Sequence, residues 1–275
     1  MTINPGHSRN PGSDGPGSAE LDAALRQFAQ RPQILVALDF DGVLAPFVRD
    51  PDAAAPMPSS VAAVHRLSRA GVHIAYISGR PLADLRSRAE APAGAVFVGS
   101  HGAEVAMNGD DGADADAVEL STDEADRLAA LNSRLASALS RTPNTWLESK
   151  PAGVVVHTRG ADEDEAARAL EQAREAAADF PTVKVTKGHH VLEFALRHSN
   201  KGEGLSRVRS SLRPEAVLFA GDDTTDEDAF AILRPEDVGI KVGPGETAAR
   251  YRVRDPQQVS DVLEQLAELV ESRDG

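Results

Sequence analysis

The chain has no cysteine, which excludes disulfides and thiolate metal sites. A reducing compartment is compatible with that, and a cytoplasmic location is expected. It also lacks any apolar run approaching the roughly 20 residues that span a bilayer. Its opening, MTINPGHSRNPGSDGPGSAE, has neither the basic start nor the apolar stretch of a secretory signal. Positive charge is in deficit: 29 Lys and Arg stand against 43 Asp and Glu, a formal charge of −14. That balance argues against nucleic acid or an anionic membrane as the main partner. An anionic small substrate stays open, because a bound cation and a few local positive charges reverse the potential within one cleft. No internal repeat is visible.

What is present is enough for a large core. At 275 residues the length fits one large domain or two smaller ones, and two are expected. The Pro, Gly, Ser and Asn content of residues 1–18 predicts a disordered tail.

The most informative segment is ILVALDFDGVLAPF, residues 34 to 47. The continuous apolar stretch from Ile34 to Leu38 suits a strand buried on both faces of a parallel sheet, and such strands present ligands at their carboxyl ends. With a side-chain period of two, Asp39 and Asp41 start on one side of the chain, and Gly42 lets it turn at once. Two carboxylates therefore converge where Mg²⁺ and a phosphate could meet, since Mg²⁺ favours one or two carboxylates plus phosphate oxygens and water. Taken alone, Asp-x-Asp-Gly also fits an ordinary surface turn.

The surrounding pattern favours the first reading. A helical segment, LDAALRQFA, precedes this strand; a helix beginning near Ser59 or Ser60 and stopping at Gly71 follows it. The strand VHIAYIS then ends at Ser78-Gly79-Arg80, Pro81 opens another helix, and the strand AVFVGS ends at His101-Gly102-Ala103-Glu104. This alternation predicts an α/β fold with a doubly wound parallel sheet. The pattern then changes. After NGDDGADADA come a helix with Ser121 and Glu124 as a capping box, the strand GVVVHTR, a helix over 162–178, and a hairpin of TVKVT and VLEFAL. These predict an inserted α+β domain over residues 106–197. The core resumes at 198–275, with Lys201 at a helix start, the strand AVLFA ending at Gly221-Asp222-Asp223, a helix near Asp226, the strand VGIKV and a closing amphipathic helix; residues 19–105 supply its first half.

Four sites thus fall at strand ends or helix starts: Asp39-Phe40-Asp41-Gly42 with carboxylates, Ser78-Gly79-Arg80 with a hydroxyl and a cation, Lys201 with another cation, and Asp222-Asp223 with Asp226. Each has a plainer reading: Ser78 as a helix cap, Lys201 as a surface lysine, the acidic run as a balance for a helix dipole. In this order they resemble the haloacid dehalogenase superfamily of phosphotransferases, whose first motif, Asp-x-Asp-x-Thr/Val, Asp39 to Val43 satisfies. The resemblance implies a Rossmann-like core with an inserted cap. It implies Asp39 as the nucleophile that becomes an aspartyl phosphate and Asp41 as the acid and base, with Ser78 and Lys201 stabilising the phosphoryl group. It implies Mg²⁺ held by Asp39, the backbone carbonyl of Asp41 and an acidic-motif aspartate. Asp222 is favoured as that third ligand, with Asp223 and Asp226 behind it.

A finer resemblance is to the trehalose-6-phosphate phosphatases. It rests on Leu38 to Gly42, Ile77 to Arg80, Gly99 to Glu104, Gly221 to Glu227, Glu148-Ser149-Lys150-Pro151, Val156 to Arg159 and Leu192-Glu193. It implies hydrolysis of trehalose 6-phosphate, with Glu148, Lys150 and Glu193 of the cap contacting sugar hydroxyls. Gly79, Arg80 and His101 join the substrate-binding set, although Arg80 equally fits a loop brace and His101 a packed loop residue. Val43 stands where this family more often has Thr. Other sugar phosphates, sucrose phosphate and mannosyl-glycerate phosphate among them, are the nearest alternatives; a non-catalytic sugar-phosphate-binding subunit is the next. The expected partner is a small sugar phosphate, the expected state a monomer.

Overall fold

The computed structural model describes residues 16–48, 50, 53–107, 115–117, 120–150, 152–188, 190–196 and 199–273. In chain order the first half holds α1 (Pro16–Ala29), β1 (Ile34–Leu38), α2 (Pro58–Arg69), β2 (His73–Ile77), α3 (Leu82–Arg88), β3 (Val96–Gly99), β4 (Glu104–Ala106) and β5 (Ala115–Ala117). The middle holds α4 (Thr122–Leu139), β6 (Trp146–Lys150), β7 (Gly153–His157), α5 (Glu163–Ala177), β8 (Lys184–Gly188) and β9 (Val191–Ala195). The last part holds α6 (Lys201–Leu212), β10 (Ala216–Gly221), α7 (Glu227–Phe230), β11 (Val238–Val242), β12 (Tyr251–Val253) and α8 (Pro256–Glu271).

Eight strands form one sheet in the order β12-β11-β10-β1-β2-β3-β4-β5. The pairings from β12 to β3 are parallel, and β4 and β5 add on antiparallel at one edge. All five residues of β1 are buried because helices cover both faces, as a continuous apolar strand requires. Alternate residues divide between the layers. Ile34, Val36 and Leu38 pack with Leu25 of α1, Leu67 of α2 and Leu263 of α8, while Leu35 and Ala37 pack with Leu205 and Val208 of α6 and Phe230 of α7. The expected doubly wound α/β core is therefore present.

The middle segment forms a second, four-stranded antiparallel sheet in the order β6-β7-β9-β8. One of its faces alternates with the other in the way a half-covered sheet must. Val154, Val156, Leu192 and Phe194 bury against Leu131 and Leu135 of α4 and Ala169 and Ala173 of α5, a cluster separate from the two around the larger sheet. The capping box at the start of α4 is formed as expected: Glu124 N donates to Ser121 Oγ at 3.4 Å, and Ser121 N donates back to Glu124 Oε2 at 2.8 Å.

Two boundaries differ from those expected. Helix α1 starts at Pro16, so the tail does not extend to residue 18; residues 1–15 lie outside those described. The insert does not begin at residue 106. Ala106 lies in β4, paired with Phe97 and with Ala115 of β5, so the larger sheet runs on to residue 117. An edge strand needs little apolar surface, and Ala-Asp-Ala is too short and too weakly apolar for its alternation to stand out. Most of the acidic linker between them, residues 108–114, lies outside the described residues.

Phe194 is fully buried in the smaller cluster. Phe194→Ala should lower the unfolding free energy by about 3–5 kcal/mol, the usual loss for an excavated aromatic, read by urea denaturation. A loss below about 1 kcal/mol would contradict the packing described.

Candidate active site

The carboxyl ends of β1, β2 and β10 converge on a cleft of about 440 Å³. At the end of β1, Asp39 N donates to Ala220 O at 3.0 Å, so the chain leaves the sheet still tied to β10. Gly42 then takes φ +75°, and Ala45 N and Gly42 N close the turn onto Phe40 O and Ala45 O, each at 2.8 Å. A side chain at Gly42 has no room: a Cβ there would lie 2.3 Å from Asp222 Oδ2. The turn thus holds the first acidic motif against the last.

Asp39 is 4 % exposed. Its Oδ1 accepts from Phe40 N at 2.7 Å and its Oδ2 from Lys201 Nζ at 2.8 Å. Lys201, the first residue of α6, is itself buried and gives a second bond to Asp226 Oδ1 at 2.7 Å. Asp226 Oδ2 accepts the N–H groups of Asp222 and Asp223, both at 2.9 Å. One oxygen each from Asp39, Asp222 and Asp226 lies within 4.8 Å of the others. Burial pushes the Asp39 carboxyl up to about 8, Lys201 only partly opposing it, and burial with the neighbouring Asp226 raises Asp222 to about 6. Lys201 is held above its usual range by the two carboxylates, against its own burial. The carboxylates therefore outnumber the cations at this point, and a small divalent cation fits the donor set. Asp226 has both oxygens committed to Lys201 and backbone donors. No hydrogen bond within the described residues engages the Asp222 carboxylate, so it has the most free oxygen to offer; Asp39 accepts one bond at each oxygen and keeps a lone pair on each that faces the cleft.

Asp41 is placed differently. Its carboxylate is gripped by the guanidinium of Arg80, Nε to Oδ2 at 2.6 Å and Nη2 to Oδ1 at 2.8 Å, outside the three-aspartate group. Arg80 also bonds Asp84 at 2.7 Å and lies 5.4 Å from the Phe40 ring centroid, so it braces the first motif as well as lining the cleft. Ser78 is buried, and its Oγ accepts from Arg80 N at 3.2 Å. Ser100 and His101 both adopt left-handed backbone, φ 48° and 54°, which is costly for residues with a Cβ. The strain is held by Ser100 N to Arg80 O at 2.8 Å and His101 N to Ser78 O at 3.0 Å, and by Glu104, whose Oε2 accepts from Ser100 Oγ and from Leu82 N at 2.5 and 3.1 Å. The result lays the imidazole over Gly79, where a Cβ would meet the ring at 2.4 Å. Burial and Lys201 hold His101 below the usual imidazole range.

A second cavity, about 420 Å³, shares Gly79, His101, Lys201 and Thr225 with the cleft and is walled on its far side by the uncovered face of the smaller sheet. Register places Glu148, Val155, Glu193 and Thr186 in one row of that face, with Lys150 in the next. Glu148 pairs with Lys150 and accepts from His157 Nε2 at 2.7 Å; burial raises its carboxyl, but those bonds outweigh it and keep the group below the usual range. His157 stacks on Trp146, ring centroids 4.7 Å apart. All the residues singled out from the sequence thus line the two cavities, apart from Asp226 beneath them. Those not singled out include Phe47 and Asp84 at the cleft, Glu104 and His157 around it, and Lys241 behind it. Lys241 had a signal, an ionisable residue inside the apolar run VGIKV.

A parallel sheet wound on both faces, with aspartates at the ends of β1 and β10 and a lysine between them, defines a haloacid-dehalogenase-like fold. The family model described as Trehalose-phosphatase matches residues 37–257. The chain belongs to the trehalose-phosphatase family. It is 35% identical over 260 residues to a trehalose-phosphate phosphatase of Mycobacterium avium and 34% identical over 247 residues to that of Mycobacterium marinum. Those alignments cover 87% and 86% of this chain but 63% and 62% of the relatives, so the chain spans less than two thirds of their length. Among solved structures, the C-terminal domain of the trehalose-6-phosphate phosphatase of C. albicans superposes with a TM-score of 0.67 at 25% identity, covering 91% of this chain and 97% of that one.

Gly42→Ala should lower stability by at least about 1–2 kcal/mol, the cost of a left-handed residue with a Cβ, as read by chemical denaturation. An unchanged midpoint would refute the close approach of Asp222.

Proposed function

We propose that the chain is a Mg²⁺-dependent phosphatase that converts trehalose 6-phosphate to trehalose and inorganic phosphate through an aspartyl phosphate. One observation carries this reading: Lys201 stands where the acidic cleft and the second cavity meet, bonded to Asp39 on one side and facing a wall of Glu148, Lys150 and Glu193 on the other. The phosphate of a sugar ester fits the first space and its hydroxyls the second, where charged groups make strong hydrogen bonds. Names of the relatives and of the matching family support the substrate.

The side chains then divide the work. Asp39, held at both oxygens and aimed by Phe40 N and Lys201, attacks phosphorus, and the bond from phosphorus to the sugar oxygen breaks. Asp41 protonates that leaving oxygen; while both its oxygens face the Arg80 fork it cannot reach out, so it must leave the fork to do so. In the second half, water attacks the phosphorus of the acyl phosphate, Asp41 takes its proton, and Asp39 is released with inorganic phosphate. Lys201, the Ser78 hydroxyl and the Gly79 N–H face the phosphoryl oxygens. When bound by Asp39, Asp222 and the Asp41 carbonyl, Mg²⁺ supplies further charge neutralisation there. The smaller sheet with α4 and α5 acts as a cap, excluding water from the reaction. Its residues also supply sugar contacts, and Arg80 and His101 shape the passage between the two spaces.

Purified protein with Mg²⁺ should release phosphate from trehalose 6-phosphate far faster than from glucose 6-phosphate or sucrose 6-phosphate; preference for another ester removes the substrate assignment and leaves the phosphatase. Asp39→Asn should abolish turnover in a folded protein, and retained activity would remove the nucleophile. Glu148→Ala and Glu193→Ala should raise KM for trehalose 6-phosphate by about ten-fold or more, the worth of a charged hydrogen bond, with little change for p-nitrophenyl phosphate. Equal losses on both esters would place these residues outside the sugar site.

A further inference from the structure

Lys241 is an ammonium with no route to the substrate. It sits in β11, a strand buried along its whole length, and is 4% exposed. Ile240 and Val242 on either side of it pack into the core, so Lys241 points to the opposite face of the sheet, and it does not line the catalytic cleft. Burying an unpaired ammonium is costly, and a strand interior is an unfavourable place for one. Its position therefore needs a partner that justifies it.

That partner is the backbone of the acidic turn. Lys241 Nζ donates to Asp222 O at 2.5 Å and approaches Asp223 O at 3.4 Å, with Glu227 Oε1 at 3.8 Å. The N–H groups of the same two residues are held from the other side by Asp226 Oδ2. Both edges of the turn are thus clamped, the amides by a carboxylate and the carbonyls by an ammonium. No hydrogen bond among the described residues engages the Asp222 carboxylate itself, so its direction is set by this clamp on its backbone together with the close approach of Gly42. Glu227 extends the support, accepting from Ala248 N at 2.8 Å.

We propose that Lys241 is a positioning residue for the cation site: by holding the carbonyl edge of the Asp222–Asp223 turn it aims the Asp222 carboxylate at the point it shares with Asp39. This rests on the reading of that acidic group as a divalent-cation site. The sign of the effect identifies the role. By Coulomb's law alone, removing a positive charge near the site tightens binding of a cation. Loss of an orienting partner weakens it, typically by 10- to 100-fold. A residue that only stabilises the fold lowers the melting temperature and leaves the affinity of the folded protein unchanged.

The test is Mn²⁺ binding to the full chain, stripped with EDTA and without substrate, followed by electron paramagnetic resonance of the free ion. Lys241→Met keeps the length of the side chain and removes the charge. Its Mn²⁺ dissociation constant should rise about ten-fold, with a cooperative melting transition in EDTA showing that it is folded. An unchanged or lower constant overturns the inference. If Lys241→Met does not fold, Lys241→Arg decides by the same measurement: the guanidinium is longer and wider than the buried ammonium it replaces and must push the carbonyl edge of the turn aside, so weaker binding is expected and wild-type affinity overturns the role. Wild-type protein that binds no Mn²⁺, or Asp222→Ala that binds it as well as wild type, overturns the cation site itself.

Discussion

Lys201 is the interaction on which the centre depends. Asp39, Asp222 and Asp226 gather within a few ångströms at the end of a buried sheet, an arrangement that their mutual repulsion and desolvation oppose. A single ammonium shared by Asp39 and Asp226 offsets part of that cost. It occupies the first position of α6, where the helix dipole disfavours a cation. That local penalty is outweighed by two charged hydrogen bonds in a nearly dry environment. The helix start is secured independently, since the Asn200 side chain accepts from Glu203 N at 2.8 Å. Lys201 is thus delivered to the carboxylates by a helix that does not rely on it for its own cap.

Around this bridge, steric exclusion supplies the remaining order. Gly42 admits the Asp222 carboxylate and Gly79 admits the His101 ring because neither has a Cβ. Two left-handed residues, Ser100 and His101, are tolerated because Glu104 and backbone bonds over-determine their turn. The loops after β1, β2 and β3 are therefore each fixed by a group from another loop: Asp222, His101 and the carbonyls of Ser78 and Arg80 in turn. The centre behaves as one mechanical unit.

The parallel strands were readable because burial on both faces forces continuous apolar runs, as in residues 34–38 and 216–220. Strands β5, β6 and β12 were not: each lies at a sheet edge, where one unpaired side relaxes the demand on composition. The positions of Asp39, Ser78, Lys201 and Asp222 at strand ends and helix starts followed from periodicity. Their pairings did not. Lys201 meets Asp39 across 162 residues of sequence, and nothing in the spacing distinguishes Arg80 as the partner of Asp41 rather than of a ligand. Lys241 marked itself by a charge within an apolar strand, but the carbonyls it serves belong to a turn whose shape only the folded chain defines.

The register of the central strands sets an order on the making of this protein. Ile34 of β1 lies beside Ala216 of β10, so the strand leading to Asp39 lacks its neighbour on that side until residues 216–221 have left the ribosome. The smaller sheet, whose strands are close in sequence, meets its own partners well before then. Once formed it draws the two distant segments together, reducing the entropy lost when the long loop closes. Until that closure a nascent chain exposes one edge of β1, which makes synthesis the stage at which this sheet is most open to mispairing.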